Sequence, residues 1–166
     1  MEIDVNVAAP AWRRVADLED LAKECVRQSL AASGAALASK CEVSVTFCND
    51  KAIRELNVEW RGKDQPTNVL SFPTPGAIER KPLLGDVIIA YETVAREAEE
   101  QGKLLRAHAA HMVAHGFLHL IGYDHETAAE AERMEALERK IATALGFPDP
   151  YADDAEGPAG GRSELN

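Results

Sequence analysis

The chain lacks the features that would place it in a membrane or outside the cell. No apolar run approaches the roughly 18 residues that a bilayer-spanning helix needs. The amino-terminal MEIDVNVAAP carries acids where a secretory signal peptide carries bases, so a cytoplasmic location is expected. Cysteine is scarce: Cys25, Cys41 and Cys48 are odd in number and none belongs to a CxxC pair, which excludes a disulfide framework and a thiolate zinc site. They read as small buried apolar residues in a reducing compartment. Internal repeats are absent. Positive charge is in deficit, with 18 basic against 28 acidic residues and a net charge of −10. That balance excludes a protein that coats nucleic acid through a broad positive surface.

What is present suffices for one core. With 46% hydrophobic and 28% charged residues, the 166-residue chain fits one domain plus a tail. Alternation of Ile3, Val5 and Val7 with Glu2, Asp4 and Asn6 predicts a half-buried strand that Pro10 ends. Val15, Leu18, Leu21, Ala22 and Cys25 recur at helical spacing, predicting a helix from Trp12 to about Ala32 with Ser33-Gly34 as its stop. Residues 41–48 alternate again, with Val43, Val45 and Phe47 inward, and Asn49-Asp50 caps a helix through Ile53, Leu56 and Trp60. RGKDQPT, at 61–67, is a loop by composition. NVLSFP (68–73) and GDVIIA (85–90) are strands whose connection of about a dozen residues suggests an antiparallel neighbour or a wide connection. Helices are predicted over 91–101, 104–121 and 127–145, separated by Gly102 and by Gly122-Tyr123-Asp124. The sum is an α+β fold, a small mixed β-sheet of about four strands packed with about five helices, in one domain over 1–147. Residues 148–166 carry five acids, one base and little to bury, and are expected to form a disordered acidic tail.

All five histidines fall between 108 and 125. At about 100° per residue, His108, His111, His115 and His119 share one stripe of the 104–121 helix. Two histidines at i and i+4 converge on a metal ion without backbone strain, and His115 and His119 have that spacing. Gly122 can end the helix in a left-handed conformation and return His125 to the same point. HGFLHLIGYDH therefore reads as a three-histidine site, and its spacing matches the metzincin zinc motif HExxHxxGxxH on a zincin-like metal helix. Gly116 stands where those peptidases place their general-base glutamate. His108, about 10 Å from His115 along the axis, reads as packing, and His111 as either packing or support for a ligand. Three protein ligands leave one position of a zinc ion open, the arrangement of catalytic rather than structural zinc. Nickel, cobalt and iron also suit imidazole sites.

HGFLHLIGYDH, preceded by RGKDQPTNVLSFP and LGDVII, closely resembles the bacterial YbeY family of rRNA maturation factors. The resemblance runs from about residue 40 to 145. It implies a zinc-dependent, single-strand-specific endoribonuclease acting in 16S rRNA 3′-end processing and ribosome quality control. The zinc ligands would be His115, His119 and His125, and Arg61 the basic catalytic residue facing the metal. Implied partners are single-stranded rRNA, the small ribosomal subunit with its associated proteins, and a ribosome-assembly GTPase. Where members often carry aspartate in TDVLSFP, this chain carries Asn68. The arginine fork suits the charge of a phosphorane-like transition state.

Two other readings compete. A metzincin-like metallopeptidase would share the spacing but lack its base at Gly116, and a non-catalytic assembly factor would use zinc to join the last two helices. The general base stays open: a zinc-bound hydroxide could attack directly, the RNA 2′-hydroxyl could be the nucleophile, or His111, Asp86 or Asp124 could relay a proton. Asp124 could also cap the last helix or orient a ligand, and Asp86 could satisfy backbone at a Gly85 turn. The charge is unevenly placed: residues 1–124 hold 14 bases against 18 acids, so more than half of the net negative charge follows. RNA binding is expected to be local, near Arg61, Lys63 and the metal, and to strengthen at low salt when the tail is deleted from Pro148.

Overall fold

A computed structural model of the protein describes residues 1–152, and the tail expected over 153–166 lies outside the described residues. Four strands, β1 (Glu2–Val7), β2 (Glu42–Cys48), β3 (Val69–Pro73) and β4 (Leu83–Ala90), form one mixed sheet in the order β1-β2-β4-β3. β1, β2 and β4 run parallel, and β3 returns antiparallel to β4 with Ser71 opposite Val87. Of the two expected arrangements, β3 and β4 are therefore antiparallel neighbours, which leaves β3 at the edge.

Five helices cover the sheet: α1 (Leu18–Ser33), α2 (Asp50–Arg61), α3 (Tyr91–Gln101), α4 (Leu105–Leu120) and α5 (Ala128–Leu145). α4 lies on β3 and β4, and α1 and α5 pack on α4. It is buried along most of its length, which is why its sequence, HAAHMVAHGFLHL, is apolar on nearly every side. On the opposite sheet face α2 contributes Ile53 and Leu56 to a second cluster with Leu70, Phe72 and Ile88. Asn49 caps α2 by accepting from the Ala52 amide at 2.9 Å. Thr127 and Glu130 form a reciprocal capping box on α5. Asp124 therefore does not cap this helix. Its carboxylate accepts from the His125 backbone N–H at 2.8 Å.

Three boundaries differ from the sequence reading. The helix predicted from Trp12 begins at Leu18, because Pro10–Arg14 form a 3-10 turn and Asp17 adopts φ 53°. Trp12 enforces the break: its fully buried indole donates to the Cys48 carbonyl at 2.9 Å and packs edge-on against Phe47 and Tyr91. Arg61 closes α2 rather than opening the loop, with Gly62 at φ 68° as the cap. Gly85 lies inside β4, not in a turn. A Cβ there would meet the Phe72 carbonyl oxygen at 2.4 Å.

All three cysteines are free and buried. Burial pushes the Cys25 thiol up to about 12 and the Cys48 thiol up to about 11, so both are inert apolar groups at neutral pH.

Candidate metal centre

α4 ends where the histidine motif requires a turn. The Gly122 amide bonds the His119 carbonyl at 3.1 Å and the Tyr123 amide bonds the Leu118 carbonyl at 3.0 Å, with Gly122 at φ 108°. This reversal brings His125 back against the helix. Its ring stacks on His115 at 5.6 Å and meets His119 edge-on at 5.0 Å. One ligand atom from each of His115, His119 and His125 lies within 4.8 Å of the others, a span that a single ion can bridge. The Nε2 atoms of His115 and His119 face each other at 3.2 Å.

The protonation pattern suits metal binding. Glu138 of α5 is almost fully buried and accepts from His115 Nδ1 at 2.7 Å and His111 Nε2 at 2.9 Å. Burial alone would raise its pKa, but the two imidazole bonds outweigh burial and hold the carboxyl below its ordinary range. An ionised carboxylate only accepts, so the His115 proton sits on Nδ1 and the Nε2 lone pair is left for a ligand. The Tyr151 hydroxyl also donates to Glu138. Burial and the neighbouring His115 and His125 push His119 down to about 4, so it is neutral and able to ligate at neutral pH.

His108 takes no part in this cluster. Its Nε2 pairs with Glu97 at 2.9 Å, and Glu97 also receives the Asn68 amide at 3.1 and 3.2 Å. Asn68 fits this position because it donates, whereas an aspartate here would set two carboxylates against each other.

A cleft of about 780 Å³ joins the triad to the carboxyl end of α2 and to β3. Arg61, Lys63, Trp60 and Asp124 line it together with the three histidines. The loop after α2 is held in place by the Asn57 side chain, which donates to the Gln65 carbonyl at 2.8 Å, and by the Arg54–Asp64 pair at 2.6 Å. Asp124 is the only carboxylate among the described residues lining the cleft, against Arg61 and Lys63. The cleft is thus locally positive in a chain of net charge −10.

Of the three candidate proton acceptors, only Asp124 lines this cleft. His111 is turned to Glu138 and lines a separate pocket. Val87 faces α4, since a Cβ on Gly116 would meet it at 2.5 Å, so strand alternation puts Asp86 on the opposite sheet face.

Glu138 and Tyr151 were not found from the sequence. Glu138 leaves one trace, since it sits in register with Met134 and Ile141 on the buried stripe of α5, where an unpaired acid would be costly. Tyr151 falls in the segment read as tail, yet residues 148–152 pack onto the domain. Asp149 pairs with Arg139 at 3.3 Å, and the Pro150 carbonyl accepts from Lys103 at 2.8 Å.

Comparison with known proteins identifies the family. Residues 9–146 match the family described as Endoribonuclease YbeY. A protein of that name from Methylocella silvestris is 55% identical over 151 residues, 91% of this chain and 86% of its own length. One from Azorhizobium caulinodans is 49% identical over 160 residues, 95% of this chain and its full length. A Thermotoga maritima protein solved in solution shares the fold at a TM-score of 0.54 and 23% identity, covering 97% of this chain and 99% of that one. The family match runs over a span that holds β2, β3, β4 and all five helices, and the chain belongs to the YbeY endoribonuclease family.

Proposed function

We propose that the protein is a metal-dependent endoribonuclease that cleaves single-stranded RNA in the cleft between α4 and the end of α2. The carrying observation is that His115, His119 and His125 converge within 4.8 Å in the cleft that also holds Arg61 and Lys63. The metal ligands are these three histidines, and the ion is zinc. Bound there, a divalent ion supplies a Lewis acid for a phosphoryl oxygen and lowers the pKa of water toward about 7. Glu138 keeps the His115 lone pair directed at the ion's position, and neutral His119 offers its own without losing a proton first. Arg61, with no carboxylate partner among the described residues, offers a planar pair of donors to the phosphodiester. Lys63 adds a second positive charge, and Asp124, the carboxylate that lines the cleft, is the proton acceptor of this reading.

The biological substrate is rRNA in the cytoplasm, with processing of the 16S 3′ end and ribosome quality control as the roles and the small ribosomal subunit and an assembly GTPase as partners. The peptidase reading fails on Gly116, whose carbonyl receives the Ser71 hydroxyl at 3.0 Å and whose Cα faces the sheet, so no base projects from this position. The test is metal content by mass spectrometry coupled to cleavage of an end-labelled single-stranded RNA. The expected result is cleavage that chelator abolishes and zinc restores. Full cleavage by metal-free protein would sink the reading.

A further inference from the structure

Aromatic residues are few, 5% of the chain, and only two are tryptophans. Trp12 is wholly buried, whereas Trp60 is 64% exposed. Its position is unusual because the apolar spacing of α2, Ile53, Leu56, Trp60, predicts an inward residue. Ile53 is fully buried, but the ring of Trp60 lies in the metal cleft one residue before Arg61. It is not loose there: Phe72 of β3 supports it, with ring centroids 6.1 Å apart and planes at 55°. Phe72 is itself anchored in the cluster of Ile53 and Leu70. Exposing an indole has no benefit for folding.

We infer that Trp60 is a stacking platform for an unpaired nucleobase flanking the phosphate held at Arg61. The inference rests on the endoribonuclease reading above and adds to it a physical source of strand selectivity. An indole face accepts any base, because every base has a π-face, but only a base free of its own helix can lie on it. A ring already braced by Phe72 loses little freedom on binding. The cleft would then join a phosphate subsite at Arg61 and Lys63 to a base subsite at Trp60.

The test uses the zinc-loaded full chain and a 2′-O-methyl oligoadenylate shown on a gel to stay intact during the titration, a matched abasic oligomer and a duplex. The oligoadenylate should quench the emission of Trp60, while buried Trp12 supplies a constant background and the duplex quenches little. Trp60→Ala should weaken oligoadenylate binding by about 5- to 150-fold, the equivalent of the 1–3 kcal/mol carried by one base–aromatic stack. It should leave binding of the abasic oligomer unchanged, and Trp60→Phe should recover most of the loss. Trp60 is 64% exposed, so little packing is lost with its ring and the thermal midpoint serves as the folding control. Equal binding of oligoadenylate by the wild type and Trp60→Ala would overturn the inference while leaving RNA cleavage intact. Failure of the zinc-loaded wild type to cleave any single-stranded RNA would overturn the underlying reading as well.

Discussion

Glu138 and His115, 23 positions apart, are joined by a 2.7 Å hydrogen bond that fixes which nitrogen of the imidazole faces His119 and the cleft. The same carboxylate bonds His111 and Tyr151. One buried acid thus ties α4, α5 and the segment after α5 to the three-histidine cluster. Carboxylates that orient ligating imidazoles carry about 10- to 100-fold in metal affinity.

Replacing Glu138 with Gln keeps its size but sets an amide against two imidazole N–H groups and a hydroxyl. Zinc affinity, measured by competition with a chromophoric chelator, should fall by about 10- to 100-fold. Unchanged affinity would mean that the triad is held by packing alone.

The segment beyond α5 separates two effects that a single deletion from Pro148 would mix. A chain ending at Phe147 loses Tyr151, the Asp149–Arg139 pair and the Pro150 carbonyl that receives Lys103. Its stability should drop by about 1–3 kcal/mol in urea titration, as expected for buried partners left unpaired. A chain ending at Ala152 keeps these contacts and removes four acids and one base. It should retain full stability and bind bare single-stranded RNA more tightly at low ionic strength, the gain vanishing as salt rises.

Gly116 explains why the metzincin glutamate cannot be restored. A Cβ there would lie 2.5 Å from Val87 Cγ1, 3.2 Å from the Ser71 hydroxyl and 3.3 Å from Val69 Cγ2. Val87 is buried and β-branched, so it has little room to yield. Gly116→Ala should destabilise by about 1–3 kcal/mol in chemical denaturation, and Gly116→Glu should yield no peptidase. A Gly116→Ala protein as stable as the wild type would show that α4 can move off the sheet at low cost.

Much of this site is legible in the sequence because it is local. The i, i+4 pair and the glycine turn act within eleven residues, and the backbone geometry of one helix end is enough to bring them together. Glu138 and Tyr151 reach the site only through packing of α5 and the chain beyond it; the apolar period of α5 marks Glu138 as buried but not its partners. Trp60 satisfies the apolar spacing of α2 and still lies outside the core, since its helix turn projects past the Ile53 cluster into the cleft. The break before α1 escapes for a similar reason. Trp12 is drawn to the Cys48 carbonyl and the rings of Phe47 and Tyr91, contacts across 35 or more positions of chain.

The Asn68–Glu97–His108 chain gives a pH dependence with a definite sign. Burial alone would raise the Glu97 carboxyl, but the bonds from His108 and Asn68 outweigh it and hold the group below its ordinary range. A carboxyl lowered by folding contributes stability above its unfolded value, and that contribution is lost as pH falls through the folded one. Glu97→Gln should therefore cost about 1 kcal/mol at pH 7, with the difference from wild type closing as the solution is acidified below 4.5. Denaturant midpoints from pH 7 to pH 3 check this, and a gap that is constant with pH would contradict it.

The most direct test of the metal-dependent cleft is cleavage of end-labelled single-stranded RNA by His119→Ala beside the wild type, with zinc content measured on the same samples. His119 is the ligand to choose, because its removal leaves the Glu138 bonds to His111 and His115 in place. Retained folding, loss of bound zinc and a fall in cleavage of at least about a thousandfold are predicted. Wild-type cleavage by a zinc-free His119→Ala protein would contradict the account.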